Sequence, residues 1–326
     1  MASFLSIQDL HVSYRSRESG LRPALVGVSF EILPGEILGV LGESGSGKST
    51  LAAALVRLLP PNGQITQGAV LFEGKDLFKS KAEELRQIRG GRIALIFQEP
   101  SLALHPTMRV SEQVRQILAA HEQAGKSNLR ERTQEVFSVL FPGDADRISQ
   151  SYPHQLSGGQ RQRVLIAQAI ACRPSVIIAD EPTASLDPTT QMEILSVFRT
   201  LKEKLGLAMI FITHNPALLA GFADRLLVLY GGRVVECGPA EAVLVSPRHP
   251  YTKGLFQSIP ASLQEGTKSS KTILPAIAGD SSLSLPKEGC SFEPKCTERM
   301  DACRERGPVP VNLSASHTVS CFRYEK

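Results

Sequence analysis

Two strings in this 326-residue chain hold residues suited to phosphate chemistry. Gly42-Glu43-Ser44-Gly45-Ser46-Gly47-Lys48-Ser49-Thr50 has the G-x-x-x-x-G-K-[ST] spacing of a phosphate-cradling loop. Gly42, Gly45 and Gly47 tolerate φ > 0, so the backbone N–H groups of the loop, Ser44 among them, can turn inward on an anion. Lys48 is placed to meet the β- and γ-phosphates and the Ser49 hydroxyl to ligate Mg²⁺, while Thr50 caps or packs. Chance produces this pattern in about one chain of this length in a hundred. The second string, Val176-Ile177-Ile178-Ala179-Asp180-Glu181, ends an apolar run in two carboxylates. Asp180 suits a Mg²⁺ shell, and Glu181 suits the general base that polarises an attacking water. Two adjacent carboxylates also fit a solvated strand end, although Pro182 fixes the exit of the chain and favours a held geometry.

Both strings need buried strands behind them. Glu36–Leu41 and Val176–Ala179 are nearly continuous apolar runs, as expected of parallel strands covered on both faces, and the sequence predicts that they lie side by side. The helix beginning near Lys48 directs the positive end of its dipole at the phosphates. A third string, Leu156-Ser157-Gly158-Gly159-Gln160, opens the helical pattern RQRVLIAQAIA. Its first N–H groups form another anion site, one that the chain's own phosphate loop does not need.

Composition narrows the class. The net charge of +4 leaves no basic footprint of a nucleic-acid binder. No run of 18 apolar residues spans a membrane, and MASFLSIQDL lacks the basic and apolar regions of a secretory signal. The expectation is a soluble, cytosolic protein that reaches membranes through partners.

Together the three strings resemble the ATP-binding-cassette (ABC) family, in which two ATPase subunits close over two nucleotides. The resemblance implies an α/β P-loop NTPase core over 1–98 and 163–240, including an antiparallel β subdomain read as short strands in 1–35. It implies an inserted helical subdomain over 99–162, carrying VSEQVRQILAAHEQ and LRERTQEVFSVLF, and a hairpin turned at Gly231-Gly232. It also assigns roles. Gln98, after the strand Ile93–Phe97, touches Mg²⁺ and the attacking water. His214 contacts the γ-phosphate, Ser185-Leu186-Asp187 crosses between subunits, and Tyr14 either stacks on adenine or packs. Ser157 and Gly159 bind the γ-phosphate of the opposing subunit, so ATP holds the dimer closed by contacting only that state. The family commonly has Asp after the histidine, and Asn215 departs from this, which puts local orientation in question. With one such set and no internal repeat, the partner is a second polypeptide, read as a paralogue.

Residues 241–326 are extra to a basic cassette. Ser246-Pro-Arg-His-Pro-Tyr-Thr252 resembles the segment that follows the cassette in ATPases of oligopeptide, dipeptide and nickel importers. Pro247 and Pro250 rigidify a turn leading into a short helix with Leu255, Phe256 and Ile259 on its apolar side, read as a docking segment without chemistry. Residues 261–288, rich in Ser, Pro, Lys and Gly, read as a linker or a loosely held loop. Cys290, Cys296, Cys303 and Cys321 are four of six cysteines and fall in the last 37 residues. In a cytosolic chain such clustering argues for metal over disulfides. Gaps of five, six and seventeen residues fit the short paired spacings of zinc poorly and suit an iron–sulfur cluster better, with zinc and free thiols as alternatives. The same importer ATPases hold a [4Fe–4S] cluster. His317 is an alternative ligand or a structural residue, and Cys172 and Cys237 are ordinary thiols. The resemblance thus implies the Mg²⁺-dependent ATPase of a peptide importer, peripheral on the cytoplasmic membrane face. Its partners would be a second cassette subunit, two transmembrane permeases and an external solute-binding protein. The alternatives are import of nickel or another small solute, or a soluble non-transport ABC ATPase.

Overall fold

The computed structural model describes residues 4–16, 20–99, 103–121, 126–257 and 289–325. They divide into two compact units, one drawn mainly from Phe72–Ile212 and the other from Leu5–Glu31, Ile37–Leu71 and Thr213–Lys326.

The second unit carries the phosphate loop. Strand β1 (Leu5–Ser16), strand β2 (Gly20–Ile32) and strand β4 (Gly63–Phe72) lie in the order β2-β1-β4. At 12 and 13 residues, β1 and β2 are longer than the short strands expected. Strand β3 (Ile37–Leu41) is buried at every position, as its apolar run requires, and delivers the loop to helix α1 (Lys48–Leu55). β3 pairs in parallel with β9 (Arg225–Tyr230), which turns at Gly231-Gly232 into antiparallel β10 (Arg233–Pro239). Both turn glycines have positive φ, 55° and 75°, as a two-residue type I′ hairpin demands. Beyond helix α8 (Ala240–Val245) and helix α9 (Pro250–Gln257), the chain returns to the sheet. Strand β12 (His317–Val319) pairs antiparallel with β10, setting Glu236 opposite Val319, and β11 (Val311–Ser314) pairs with β12. The C-terminal extension therefore adds two strands to the cassette sheet. Helix α9 starts at Pro250 itself, inside the proline-framed turn, because proline is pre-set for the first helical position. Leu255 and Phe256 are buried as expected. Ile259 and the linker 261–288 fall outside the described residues.

In the first unit β5 (Lys75–Asp76) and helix α2 (Ala82–Ile88) precede a parallel set β6-β7-β8, made of Ile93–Ile96, Val176–Asp180 and Ala208–Thr213. This corrects the expected pairing of the two apolar runs. β7 is flanked by β6 and β8, so both of its edges are taken and it does not pair with β3. The helices are α3 (Val110–His121), α4 (Lys126–Leu140), α5 (Ala145–Gln150), α6 (Gly158–Ile170) and α7 (Pro188–Leu205). α3 buries Val110, Val114 and Leu118, one stripe at i, i+4, i+8. α7 is bounded by Asp187 as N-cap, Pro188 at its first position and Gly206 in the left-handed conformation at its end.

Candidate active site

The phosphate loop is built by glycines acting in two ways. Gly45 and Gly47 have φ of 79° and 105°, values that disfavour a side chain. Gly42 has no positive φ, contrary to the expectation. It is needed for space: a Cβ there would stand 2.5 Å from Ser46 Oγ and closer still to the Leu229 carbonyl. Lys48 is buried, and its Nζ donates to the Gly42 and Glu43 carbonyls, each at 2.8 Å. The ammonium is thus folded back over its own loop. Ser46 Oγ is buried without a protein partner, Ser49 is exposed in the first turn of α1 and Ser44 is exposed on the loop. Tyr14 lies half-buried, its hydroxyl 3.1 Å from Thr50 Oγ1. Its ring leaves no room for a side chain on Gly63. These contacts hold Tyr14 and Thr50 against one another.

In the first unit β7 ends at buried Asp180 and half-buried Glu181. The Glu181 N–H donates to the Ile212 carbonyl at 3.0 Å, and its φ is 46°. A carboxylate residue in the left-handed region costs about 1–2 kcal/mol, and such strain concentrates at functional sites. Gln98 is exposed just beyond β6. Ser157 caps α6, its hydroxyl accepting from the Gln160 N–H at 3.2 Å while Gln160 Oε1 accepts from the Ser157 N–H at 3.0 Å. This capping box leaves the first N–H groups of a 13-residue helix at the surface. Gly159 is small because a Cβ would lie 2.6 Å from the Thr190 methyl. Asp187 is exposed and caps α7, accepting from Thr190 N at 3.0 Å and Thr190 Oγ1 at 2.7 Å. The Thr190 hydroxyl and N–H hold its carboxyl below the usual range. Its position in the loop thus serves helix capping, a role the sequence reading omitted.

His214 is exposed after β8. The departure at Asn215 is explained locally: Asn215 Oδ1 accepts from Ala217 N–H at 3.0 Å and caps the turn Pro216–Leu219. Asn and Asp are equivalent caps, so the chain direction behind His214 is kept.

The extension brings its own polar network. Glu236 is fully buried, and its carboxylate accepts from the N–H groups of Arg248 and His249, both at 2.9 Å. His317 Nε2 lies 2.9 Å from the same carboxylate, which makes His317 structural. Buried His249 accepts the Tyr251 N–H on Nδ1 at 3.0 Å, and burial, then Lys253, pushes its pKa down to about 3. The Tyr251 hydroxyl, in turn, accepts from the backbone N–H of Glu43 in the phosphate loop at 2.9 Å. Cys290, Cys296, Cys303 and Cys321 line one cavity together with Phe292 and His249. None of the four is in a disulfide; burial pushes Cys290 up to about 11 against the opposing Phe292 backbone hydrogen bond, with the neighbouring sulfurs adding to the rise, and burial raises Cys296 and Cys321. Among the described residues no three His, Cys, Asp or Glu side chains are close enough to hold one metal ion.

Comparison with known proteins places this geometry. The ABC transporter family profile matches residues 25–184, and the oligopeptide/dipeptide transporter C-terminal region matches residues 235–303. The chain is 40% identical to the dipeptide transport ATP-binding protein DppD of Bacillus subtilis over 99% of its length and 95% of that protein's. The chain belongs to the ABC transporter ATP-binding family. The oligopeptide transport ATP-binding protein OppD of Escherichia coli is 38% identical over 98% of this chain and 93% of its own. Among solved structures, the dimeric ATP-binding cassette MJ0796 in a post-hydrolysis state bound to ADP and Pi matches with a TM-score of 0.64. It is 30% identical and covers 72% of this chain and 98% of that one. This ABC ATPase is therefore an ATP hydrolase on a P-loop fold. Among its described residues no helix is long and apolar enough to cross a membrane.

Sequence reasoning missed two residues of this ABC ATPase. Glu236, fully buried in β10, carries no local sequence signal that sets it apart from a surface charge. Tyr251 was visible as an aromatic in a proline-framed string, but the string read as docking alone.

Proposed function

We propose that this ABC ATPase energises uptake of di- or oligopeptides through membrane permease subunits that receive solute from an external binding protein. It works at the cytoplasmic membrane face and pairs with a paralogous cassette subunit. The observation that carries the reading is the match to peptide-transport ATP-binding proteins across the whole chain, extension included.

In this reading Gly42, Ser44, Gly45 and Gly47 offer the phosphates a cradle with no side chain in the way. Lys48 exchanges the carbonyls of Gly42 and Glu43 for β- and γ-phosphate oxygens. Ser49, Gln98 and Asp180 would hold Mg²⁺, whose charge neutralises the phosphate oxygens. Glu181 accepts a proton as water attacks the γ-phosphorus and the bridging oxygen leaves with ADP, while His214 orients the γ-phosphate. Ser157 and Gly159 would meet that phosphate from the opposing subunit. Phosphoryl transfer needs positioning and charge more than covalent chemistry.

We further propose that the four cysteines hold an iron–sulfur cluster, a reading that rests on their loose spacing in the sequence, which suits a cluster better than zinc. Anaerobically purified protein with about four irons per chain and acid-labile sulfide supports this reading; stoichiometric zinc without sulfide refutes it.

The test of the transport role is affinity purification of Glu181→Gln from native membranes in Mg-ATP. Recovery of two permease subunits and a second cassette subunit is the expected result. A protein that brings down no membrane subunit overturns transport and leaves ATP hydrolysis standing.

A further inference from the structure

We infer that Tyr251, in the C-terminal extension, is a positioning residue for the phosphate loop and sets the affinity for ATP. The inference rests on the nucleotide-site reading above. The Gly42 carbonyl and the Glu43 N–H belong to one peptide unit, which is planar and trans, so the two groups point to opposite sides. The carbonyl accepts from Lys48 Nζ at 2.8 Å, and the N–H donates to the Tyr251 hydroxyl at 2.9 Å. Tyr251 therefore fixes the rotation of the peptide plane against which Lys48 is held. A second bond from Lys48 to the Glu43 carbonyl, at 2.8 Å, anchors the next plane.

The hydroxyl is itself held in place. Tyr251 is fully buried, and its ring lies 4.5 Å from Tyr230 and 5.5 Å from Phe292, with Tyr230 and Phe292 5.2 Å apart. Its N–H is bound by His249, whose own N–H is bound by Glu236. Phe292 lies two residues beyond Cys290 and lines the same cavity as the four cysteines. Contacts thus run from the cysteine segment through Phe292 and Tyr251 to the loop.

Removing the hydroxyl leaves the part-buried Glu43 N–H without its acceptor, and the peptide plane then visits orientations in which Lys48 is displaced. Apparent affinity falls by the fraction of molecules still competent. Tyr251 touches no reacting atom, so turnover at saturation is unaffected.

The experiment compares the full-length protein with Tyr251→Phe, measuring the Kd for Mg-ATP, the KM and kcat for ATP hydrolysis, and hydrogen exchange over residues 42–48. The expected result is a roughly tenfold rise in Kd and KM, kcat within about twofold of wild type, and faster exchange at the Glu43 amide. Phe292→Leu, which keeps the hydroxyl but removes one aromatic wall, raises KM in the same direction by a smaller factor. Tyr251→Phe with wild-type Kd and KM overturns the inference. So does a lowered kcat at unchanged KM, because that is what a loss of folded protein produces. Failure of the wild-type chain to bind ATP, or binding indifferent to Lys48→Ala, sinks the nucleotide-site reading instead.

Discussion

Glu236 offers a direct test of how the extension is fixed to the cassette. One carboxylate oxygen accepts from Arg248 N–H and faces His317 Nε2, and the other accepts from His249 N–H, all at 2.9 Å. The group is fully buried. In Glu236→Gln the shape is kept, but one oxygen becomes an NH₂ that must point at a backbone N–H. One buried donor is then unsatisfied, at about 1–3 kcal/mol. Glu236→Ala strips the acceptor from both N–H groups and removes the partner of His317, and each polar group left unsatisfied costs about 1–3 kcal/mol, so the loss is about 3–5 kcal/mol in all. At roughly 2–4 °C per kcal/mol, the Gln variant melts a few degrees below wild type and the Ala variant about 10 °C below. Differential scanning fluorimetry gives the melting order. Hydrogen exchange localises the damage to the amides of Arg248, His249 and Val319. A Gln variant melting within about 1 °C of wild type, with unchanged exchange at 248 and 249, refutes the argument that this carboxylate holds the two segments.

Four further outcomes are expected. Glu181→Gln loses at least about a hundredfold in ATP turnover, the contribution of a positioned base, and retains ATP in an equilibrium binding assay; unchanged turnover would falsify the role of Glu181. Because Glu181 has a φ of 46°, Glu181→Gly is more stable to urea than Glu181→Ala by about 1 kcal/mol, and the reverse order rules out strain at this position. Gly42→Ala forces a Cβ against Ser46 and the Leu229 carbonyl and weakens Mg-ATP binding by more than about tenfold at an overpacking cost of about 1–3 kcal/mol. His249 folds with its pKa lowered from 6.5 to about 3, so its neutral form contributes stability above pH 6.5 that is lost as pH falls toward 3. His249→Asn, which keeps an acceptor for Tyr251 N–H, therefore flattens the acid limb of a plot of melting temperature against pH, and an unchanged limb removes His249 as its cause.

Local pattern carried much of this molecule. The phosphate loop, the helix opened at Ser157 and the Gly231-Gly232 hairpin all follow from residue chemistry within a few positions, whereas the capping role of Asp187 was overlooked although its Pro188 neighbour signals it. The neighbour of β7 did not follow, because parallel pairing joins strands far apart in sequence and two equally apolar runs do not say which edge each takes. Glu236 was opaque for the same reason: its three partners arrive 12, 13 and 81 residues later. The Tyr251–Glu43 bond spans 208 residues. Gly42 was legible as a necessary glycine but for the wrong cause, since only the fold reveals a carbonyl where its side chain would go.

The pairing of β12 on β10 bears on how the protein behaves in solution. β10 presents Val235 and Cys237, both buried, and without β12 it would end the sheet with a bare row of N–H and C=O groups. Such an edge recruits other strands, including those of neighbouring copies. The β11 strand that takes the outer place is four residues long and mostly exposed, with little for another chain to add to. A cassette cut after Val245 would thus be an aggregation-prone fragment, which makes the extension the chain's safeguard against sticking to itself.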